Sequence, residues 1–383
     1  MENFEFYNPT KIIFGKDCID KIPNEISWKR ALIIIGKSSV KNNGFYARII
    51  SLLNMSGLDH VTFEGVQTNP TSADADKATD LAKRFNADVV IAMGGGSVID
   101  TAKAVSIGFF ADHSVWDFYA GIAKPTQALP VVCILTLAAC GTENNNFSYL
   151  QNESKQLKKG ISCDLLYPTV SFLDPELTFT VDYNCTAFGI SNLIAHTLEQ
   201  FFGKGNSPLS DFYAASIIKL AIADGLNVLE KPDNYQARAN IMWLSASALS
   251  GLLIAGKTRA DWGCHGIEQT LNVLYQTQHG AGLSIIYPAW LKHFKANLSD
   301  RIAFLAKEVF DIVEPDTCKA ADLFIAGLEN FYASIKCPVR LEELGIHRDQ
   351  KEIIIENLLL NKVSGHHFRL SDKDYSEILD YMF

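Results

Sequence analysis

The chain has 383 residues, long enough for two domains of ordinary size. Hydrophobic residues make up 48% and charged residues 20%, a globular composition with a sizeable core and no sign of disorder. The net charge of −9, without any lysine–arginine cluster, excludes nucleic acid and anionic membranes as expected partners.

In chain order, the opening MENFEFYNPTKIIFG has no basic segment followed by an apolar core, so no signal peptide is expected. No window reaches the roughly 18 uninterrupted apolar residues of a spanning helix. Residues 11–15 (KIIFG) predict a strand closed by a turn. At 31–35 a continuous, mostly β-branched run ends at Gly36, the pattern of a strand buried on both faces of a parallel sheet. A helix is predicted over 44–56, a strand near 61–63, a helix over 71–86 and a third buried strand over 88–93. This alternation predicts βαβ units and a parallel sheet.

The third strand runs into Gly94, Gly95, Gly96 and Ser97, with a helical pattern over 98–106. Glycines there let the backbone approach a ligand, and a helix N-terminus presents N–H groups where phosphate binds favourably. The motif is neither GxGxxG nor a P-loop, so a plain tight turn competes with a phosphate site. Asp100 and Lys103, on the first helical turns, have a solvated helix face as their simplest explanation. A strand over 129–137 leads to Thr136, Cys140, Gly141, Thr142 and Glu143, beyond a strand's C-terminal end, where open α/β sheets bind ligands. Residues 151–160 predict a polar loop, and 170–173 the last strand.

From residue 185 the character changes to amphipathic helices at 185–203, 209–230, 234–257, 265–276, 283–296, 299–313, 318–335, 349–361 and 372–382. The expected division is therefore a dinucleotide-binding α/β domain over 1–180 and a helical metal and substrate domain over 181–383. Eight scattered cysteines without a CxxC pair read as reduced thiols in a cytoplasmic protein.

Two helical runs in the second half carry histidine. Asn192 and His196 are four apart and share one helix face. His265 opens a later run, Gln269 follows one turn on, and His279 comes next. Three imidazoles and an amide drawn from these segments suit one divalent cation. Three separate structural histidines remain the alternative, since lone histidines are more often structural. Cys264 adjoins His265 but points about 100° away on a helix, so packing accounts for it.

The segments KIIFG, GGGSVIDTAK, LTLAACGTE, LDPELT, SNLIAHTLEQ, DWGCHGIEQ and QHGAGLSIIYPAW stand in an order that resembles the iron-containing (group III) alcohol dehydrogenases. Within them the chain looks most like the branch of butanol dehydrogenases and NADPH-dependent aldehyde reductases. The resemblance is collinear over nearly the whole chain. It implies an α/β N-terminal Rossmann-like domain and an all-α C-terminal domain, a dehydroquinate synthase-like architecture, with a cleft between them and a homodimer. It also implies that Gly94, Gly95, Gly96 and Ser97 bind pyrophosphate, that Asp100 lies near the nicotinamide, and that Thr136 and Thr142 make further cofactor contacts.

The family's metal ligands are an Asp and a His four apart, then two His fourteen apart; here those places hold Asn192, His196, His265 and His279. Many members carry a proton-relaying His where this chain has Gln269. The implied reaction interconverts a small aldehyde and a primary alcohol by hydride transfer with NADP (or NAD), assisted by Fe or Zn. Phe147, Tyr149 and Trp262 are apolar candidates to meet such a substrate. NAD-using relatives have an Asp where this chain has Lys37. Lys37, with Ser38 and Ser39 after Gly36, therefore predicts NADPH.

Two departures fall in the site. Asn192 offers a neutral oxygen in place of a carboxylate, which predicts a weakened metal site. Gln269 has no titratable proton and so can orient a hydroxyl but not act as a general acid. They support a competing function, a nucleotide-binding dehydrogenase-like protein with reduced or lost redox activity. A metal-dependent non-redox enzyme on the same architecture is a third possibility, and the motifs disfavour it.

Overall fold

Six parallel strands form the main sheet of the computed structural model, which describes residues 1–37, 39–42 and 44–383. Ser38 and the side chain of Ser39, both expected at the cofactor, lie outside the described residues. The strands in chain order are β1 (Lys11–Phe14), β2 (Arg30–Gly36), β3 (Asp59–Val66), β4 (Val89–Gly94), β5 (Val131–Leu135), β6 (Phe147–Asn152), β7 (Leu157–Ser162) and β8 (Val170–Leu173). The sheet order is β1-β8-β5-β4-β2-β3, and β6 and β7 form a separate antiparallel hairpin. All the strands precede residue 174, and the rest of the chain is helical.

The central strands are apolar because both their faces are covered. On β2, Ile33 and Ile35 pack into a core with helix α1 (Phe45–Met55). Leu32 and Ile34 pack on the other side with α2 (Ser72–Phe85) and α3 (Gly96–Gly108). Register pairs Ile35 with Met93 and Gly94 with Leu135, so β2, β4 and β5 finish side by side at their C-terminal ends.

Residues 151–160 are not a loop as expected. They turn the β6–β7 hairpin, which Asn152 caps by accepting from the Lys155 N–H while Gln156 takes a positive φ of 51°. The strands look polar because one face is open. The alternation still sends Leu150 inward, onto a cluster with Trp116 and Tyr119.

The remaining long helices are α4 (Tyr183–Phe201), α5 (Pro208–Glu230), α6 (Tyr235–Ala248), α7 (Gly263–Tyr275), α8 (His279–Phe310), α9 (Thr317–Ser334), α10 (Lys351–Leu360) and α11 (Asp372–Met382). Two compact units result. One comprises Tyr7–Val181 with Asp233–Ser250, the other Met1–Phe6, Asp182–Pro232 and Gly251–Phe383. The division expected at residue 180 therefore needs two amendments. Helix α6 belongs with the sheet, where Met242 and Ala246 enter the core and Asn144 Nδ2 donates to the Ala246 carbonyl at 3.0 Å. Residues 1–6 belong with the helices, where the Glu2 N–H donates to the Gly256 carbonyl at 2.9 Å.

Two expected helices at 283–296 and 299–313 are one, α8, of 32 residues. Leu298, Ile302 and Leu305 are buried and α8 packs along α9, so tertiary contact overrides the weak helix preference of Asn297 and Ser299. Conversely, the helix expected over 234–257 stops at Ala248, and Gly251 turns the chain with a φ of 96°. Helix α5 is the one described helix long and apolar enough to cross a membrane by length and composition. One side of it packs against the rest of its unit. Ala214, Ile218, Ala221 and Val228 are buried, and Asp211 pairs with Lys257 at 2.9 Å and with Arg301.

Candidate metal centre and nucleotide loop

Helix α4 starts at an Asp182 cap and is buried along most of its length. Asn192 and His196 share one face of it, 5% and 6% exposed. His265 stands on the first turn of α7, also buried, and His279 is the first residue of α8. One ring nitrogen from each of the three histidines lies within 4.8 Å of the other two. The rings of His196 and His265 stack, with centroids 4.8 Å apart and planes at 10°, and Trp262 meets both edge-on.

Two buried carboxylates orient this cluster. His265 Nδ1 is hydrogen-bonded to Glu199 Oε1 at 2.9 Å, and His279 Nδ1 to Glu268 Oε2. Both glutamates are effectively inaccessible to solvent. A carboxylate on one ring nitrogen fixes the ring and raises the basicity of the other, the usual support for a metal-bound histidine. Glu199 has a further task. Trp262 precedes α7 with a φ of 66° and supplies no side-chain cap, so Glu199 accepts the N–H groups of Trp262 (2.6 Å) and His265 (3.1 Å) in its place. Burial pushes the Glu199 carboxyl up to about 7 against these donors.

Sequence reasoning missed both carboxylates. The signal was a repeated spacing: each Glu lies three residues after a histidine, in HTLE (196–199) and HGIE (265–268). The pairing runs forward along the chain, because the Glu after one histidine holds the next histidine.

The donor set fits a divalent cation. Burial, and then the neighbouring imidazoles, hold His196 well below its usual pKa, so its ring is neutral as a ligand must be. Its Nδ1 is buried without a hydrogen-bond partner, which is costly unless something binds there. Tetrahedral nitrogen ligands on one ion sit roughly 3.4 Å apart, so small ring adjustments bring these three into range. Gln269, one turn after His265, is half-buried. Cys264 is buried among packed groups, in line with packing. Gly280 lets α8 start against α4: a Cβ there would fall 2.0 Å from the Phe188 carbonyl, and Ser191 Oγ donates to the Gly280 carbonyl at 2.8 Å.

In the sheet-bearing unit, Gly94 ends β4 and α3 begins at Gly96, with Gly95 as a cap that brings no side chain. The start of α3 thus has no side-chain cap, a setting that suits phosphate. The glycines also have packing reasons. A Cβ on Gly94 would meet Val98 at 2.6 Å, on Gly95 Leu137 at 3.0 Å, and on Gly96 the Cys140 sulfur at 2.4 Å. Thr136 adjoins the loop, its N–H donating to the Gly94 carbonyl at 3.1 Å. Ser97 Oγ donates to the Thr68 carbonyl. Gly36 ends β2, and Lys37 beyond it is exposed.

Asp100 and Lys103 are not a solvated face. Lys103 is fully buried, its ammonium donating to Thr142 Oγ1 (3.0 Å), the Asn145 carbonyl (2.9 Å) and side chain (3.1 Å), and the Phe147 carbonyl (2.8 Å). Thr142 Oγ1 donates to Asp100 Oδ1 at 2.7 Å, and the Tyr149 N–H donates to Asp100 Oδ2 at 3.1 Å. Helical spacing alone could not show that the hairpin folds over this face. Asp100 and Thr142, expected at the cofactor, spend these groups on tying α3 to the hairpin. Phe147 and Tyr149 lie on that hairpin, and Trp262 lies against the histidines.

Comparison with known proteins gives a consistent result. Residues 9–175 match the family described as iron-containing alcohol dehydrogenase, and residues 186–380 match the Fe-containing alcohol dehydrogenase family, C-terminal. The probable NADH-dependent butanol dehydrogenase 1 of Bacillus subtilis (strain 168) is 33% identical over 385 residues, covering 99% of each chain. The NADPH-dependent aldehyde reductase YqhD of Escherichia coli (strain K12) is 29% identical over 366 residues, covering 94% of this chain and 93% of its own. The crystal structure of NADH-dependent butanol dehydrogenase A from Thermotoga maritima superposes with a TM-score of 0.96 at 34% identity, covering 100% of this chain and 99% of that one.

Proposed function

This chain belongs to the iron-containing alcohol dehydrogenase family, and we propose that it interconverts a small aldehyde and a primary alcohol with NAD(P)H as hydride donor. The observation that carries this proposal is the buried three-histidine cluster, with a carboxylate behind two of its rings, in a chain collinear with such enzymes. A divalent Fe or Zn held by His196, His265 and His279, with Asn192 on the same helix face as His196, would polarise the substrate oxygen, and the nicotinamide would supply hydride.

The chain's own groups do the rest. Glu199 and Glu268 hold two rings in place, and Trp262 packs edge-on against His196 and His265. Gln269 orients a water or substrate hydroxyl without supplying a proton. The Gly94–Gly96 turn and the start of α3 receive the pyrophosphate.

For the nucleotide, our choice is NADPH. Relatives with either preference exist, so the choice rests on Lys37. In support, register sets Ile35 of β2 beside Met93 of β4, and Lys37 and the glycine turn each follow those strand ends. A cation there favours a 2′-phosphate, whereas a carboxylate would accept the ribose hydroxyls and repel it. Titration calorimetry should show tighter NADPH than NADH binding, reversed toward NADH in Lys37→Asp; equal affinities would overturn the choice. The expected assembly is a homodimer, which sedimentation would test.

Asn192 and Gln269 favour a second function, nucleotide binding with slow or absent turnover. Asn192→Asp should raise metal occupancy, and the double variant with Gln269→His should raise the rate of aldehyde-dependent NADPH oxidation. Full metal occupancy and no gain in either variant would make the enzyme an ordinary one.

A further inference from the structure

A carboxylate at position 192 would bring a full negative charge to the cation, and Asn192 brings none. Three neutral imidazoles and an amide would leave two positive charges uncompensated in a buried place, where such an imbalance is costly. One ring away stands another carboxylate, Glu268, behind His279. We propose that Glu268 is a positioning residue that restores this missing charge through the His279 ring, so that the Asn192 site still binds a divalent cation. The inference rests on the metal reading given above.

Three observations support it. Glu268 is fully buried, and its Oε2 is hydrogen-bonded to His279 Nδ1, so its charge reaches the cluster through one imidazole. A carboxylate so placed draws the Nδ1 proton toward itself and gives the ring partial imidazolate character, which makes its other nitrogen a stronger donor to a cation. The site is also shaped for it. Gly282, on the first turn of α8, leaves the room that the side chain occupies, since a Cβ there would fall 2.9 Å from Glu268 Cγ. Glu199 is the other candidate, bonded to His265 Nδ1 at 2.9 Å, but it also accepts the backbone N–H groups of Trp262 and His265 at the start of α7. Removing Glu199 would fray that helix, whereas Glu268→Gln keeps size and hydrogen bonding and deletes only charge.

The test compares four full-length proteins: wild type, Glu268→Gln, Asn192→Asp and the double variant. Each is stripped of metal and titrated with Zn²⁺ against a chromogenic chelator, with NADPH affinity and thermal melting of the stripped proteins as folding controls. Glu268→Gln should bind Zn²⁺ about 10–100-fold more weakly than wild type. Asn192→Asp in the same chain should restore most of that loss, so the cost of losing Glu268 is smaller when Asn192→Asp is already present. A purely structural role for Glu268 would not show this rescue. Gly282→Ala supplies a second route: it displaces the carboxylate without removing its charge, and should weaken Zn²⁺ binding in the same direction. An equal loss with and without Asn192→Asp, or wild-type affinity in Glu268→Gln, overturns this inference alone. Failure of the wild type to bind Zn²⁺ or Fe²⁺ at all overturns the metal reading and this inference together.

Discussion

In the helical unit the proposed site is made of side chains: three histidines from α4, α7 and α8, with glutamates behind two of them. In the sheet-bearing unit the proposed nucleotide site is backbone, a glycine turn without a side-chain cap, while nearby charged side chains tie α3 to the hairpin. The difference shows where each site tolerates change. A side-chain site can draw charge from a neighbouring residue, as proposed for Glu268 in place of a carboxylate at position 192. A backbone site has no such freedom, because its shape is fixed by what packs against it.

The largest expected effect tests the side-chain site. His265→Ala removes a ligand and the partner of Glu199, and should lower the aldehyde-dependent rate by on the order of 10³-fold while leaving NADPH affinity within a factor of a few. Steady-state kinetics and nucleotide titration check both halves; a loss of nucleotide binding would break the separation drawn above. Next comes a pair of glycines. Gly280→Ala sets a Cβ against the Phe188 backbone carbonyl at 2.0 Å, which cannot rotate away. It should destabilise by roughly 3 kcal/mol or more. Gly96→Ala meets the Cys140 sulfur at 2.4 Å, a side chain that can turn, so the cost should be about 1–2 kcal/mol, together with weaker NADPH binding. Denaturant melts rank the two, and the opposite order would contradict the packing given for each turn.

The last effect depends on pH and concerns Glu143, whose two carboxylate oxygens are buried without hydrogen-bond partners in the sheet-bearing unit. Burial raises its carboxyl to about 7, opposed by its own backbone N–H and by Lys103. The folded chain keeps this proton to about pH 7 while the unfolded chain releases it near 4.5. Stability from this group is therefore lost as pH rises through that window, and the loss stays constant above it. Glu143→Gln should raise stability by roughly 3 kcal/mol at pH 8 and by much less at pH 4.5. A gain that is the same at both pH values would show that ionisation is not the cause.

Much of this was legible in the sequence because it is local. Continuous β-branched runs marked the buried parallel strands at 31–35 and 88–93, and three glycines between a strand and a helix marked the turn. Residue chemistry and spacing picked out His196, His265 and His279. What escaped depends on contacts distant in sequence. Lys103 looked solvated because nothing near it shows that a hairpin about 40 residues later covers it. Helix α6 has a helix's pattern but packs on the sheet. Glu199 and Glu268 were missed, since only the fold brings each to a histidine on another helix.

The most direct test of the central claim is aldehyde-dependent NAD(P)H oxidation by one preparation, first stripped of metal and then reconstituted with stoichiometric Fe²⁺ or Zn²⁺. The stripped protein should bind nucleotide without turnover, take up one cation per chain, and then oxidise NAD(P)H only when aldehyde is present. Equal turnover by the stripped protein, or no turnover after one cation per chain has bound, would contradict it.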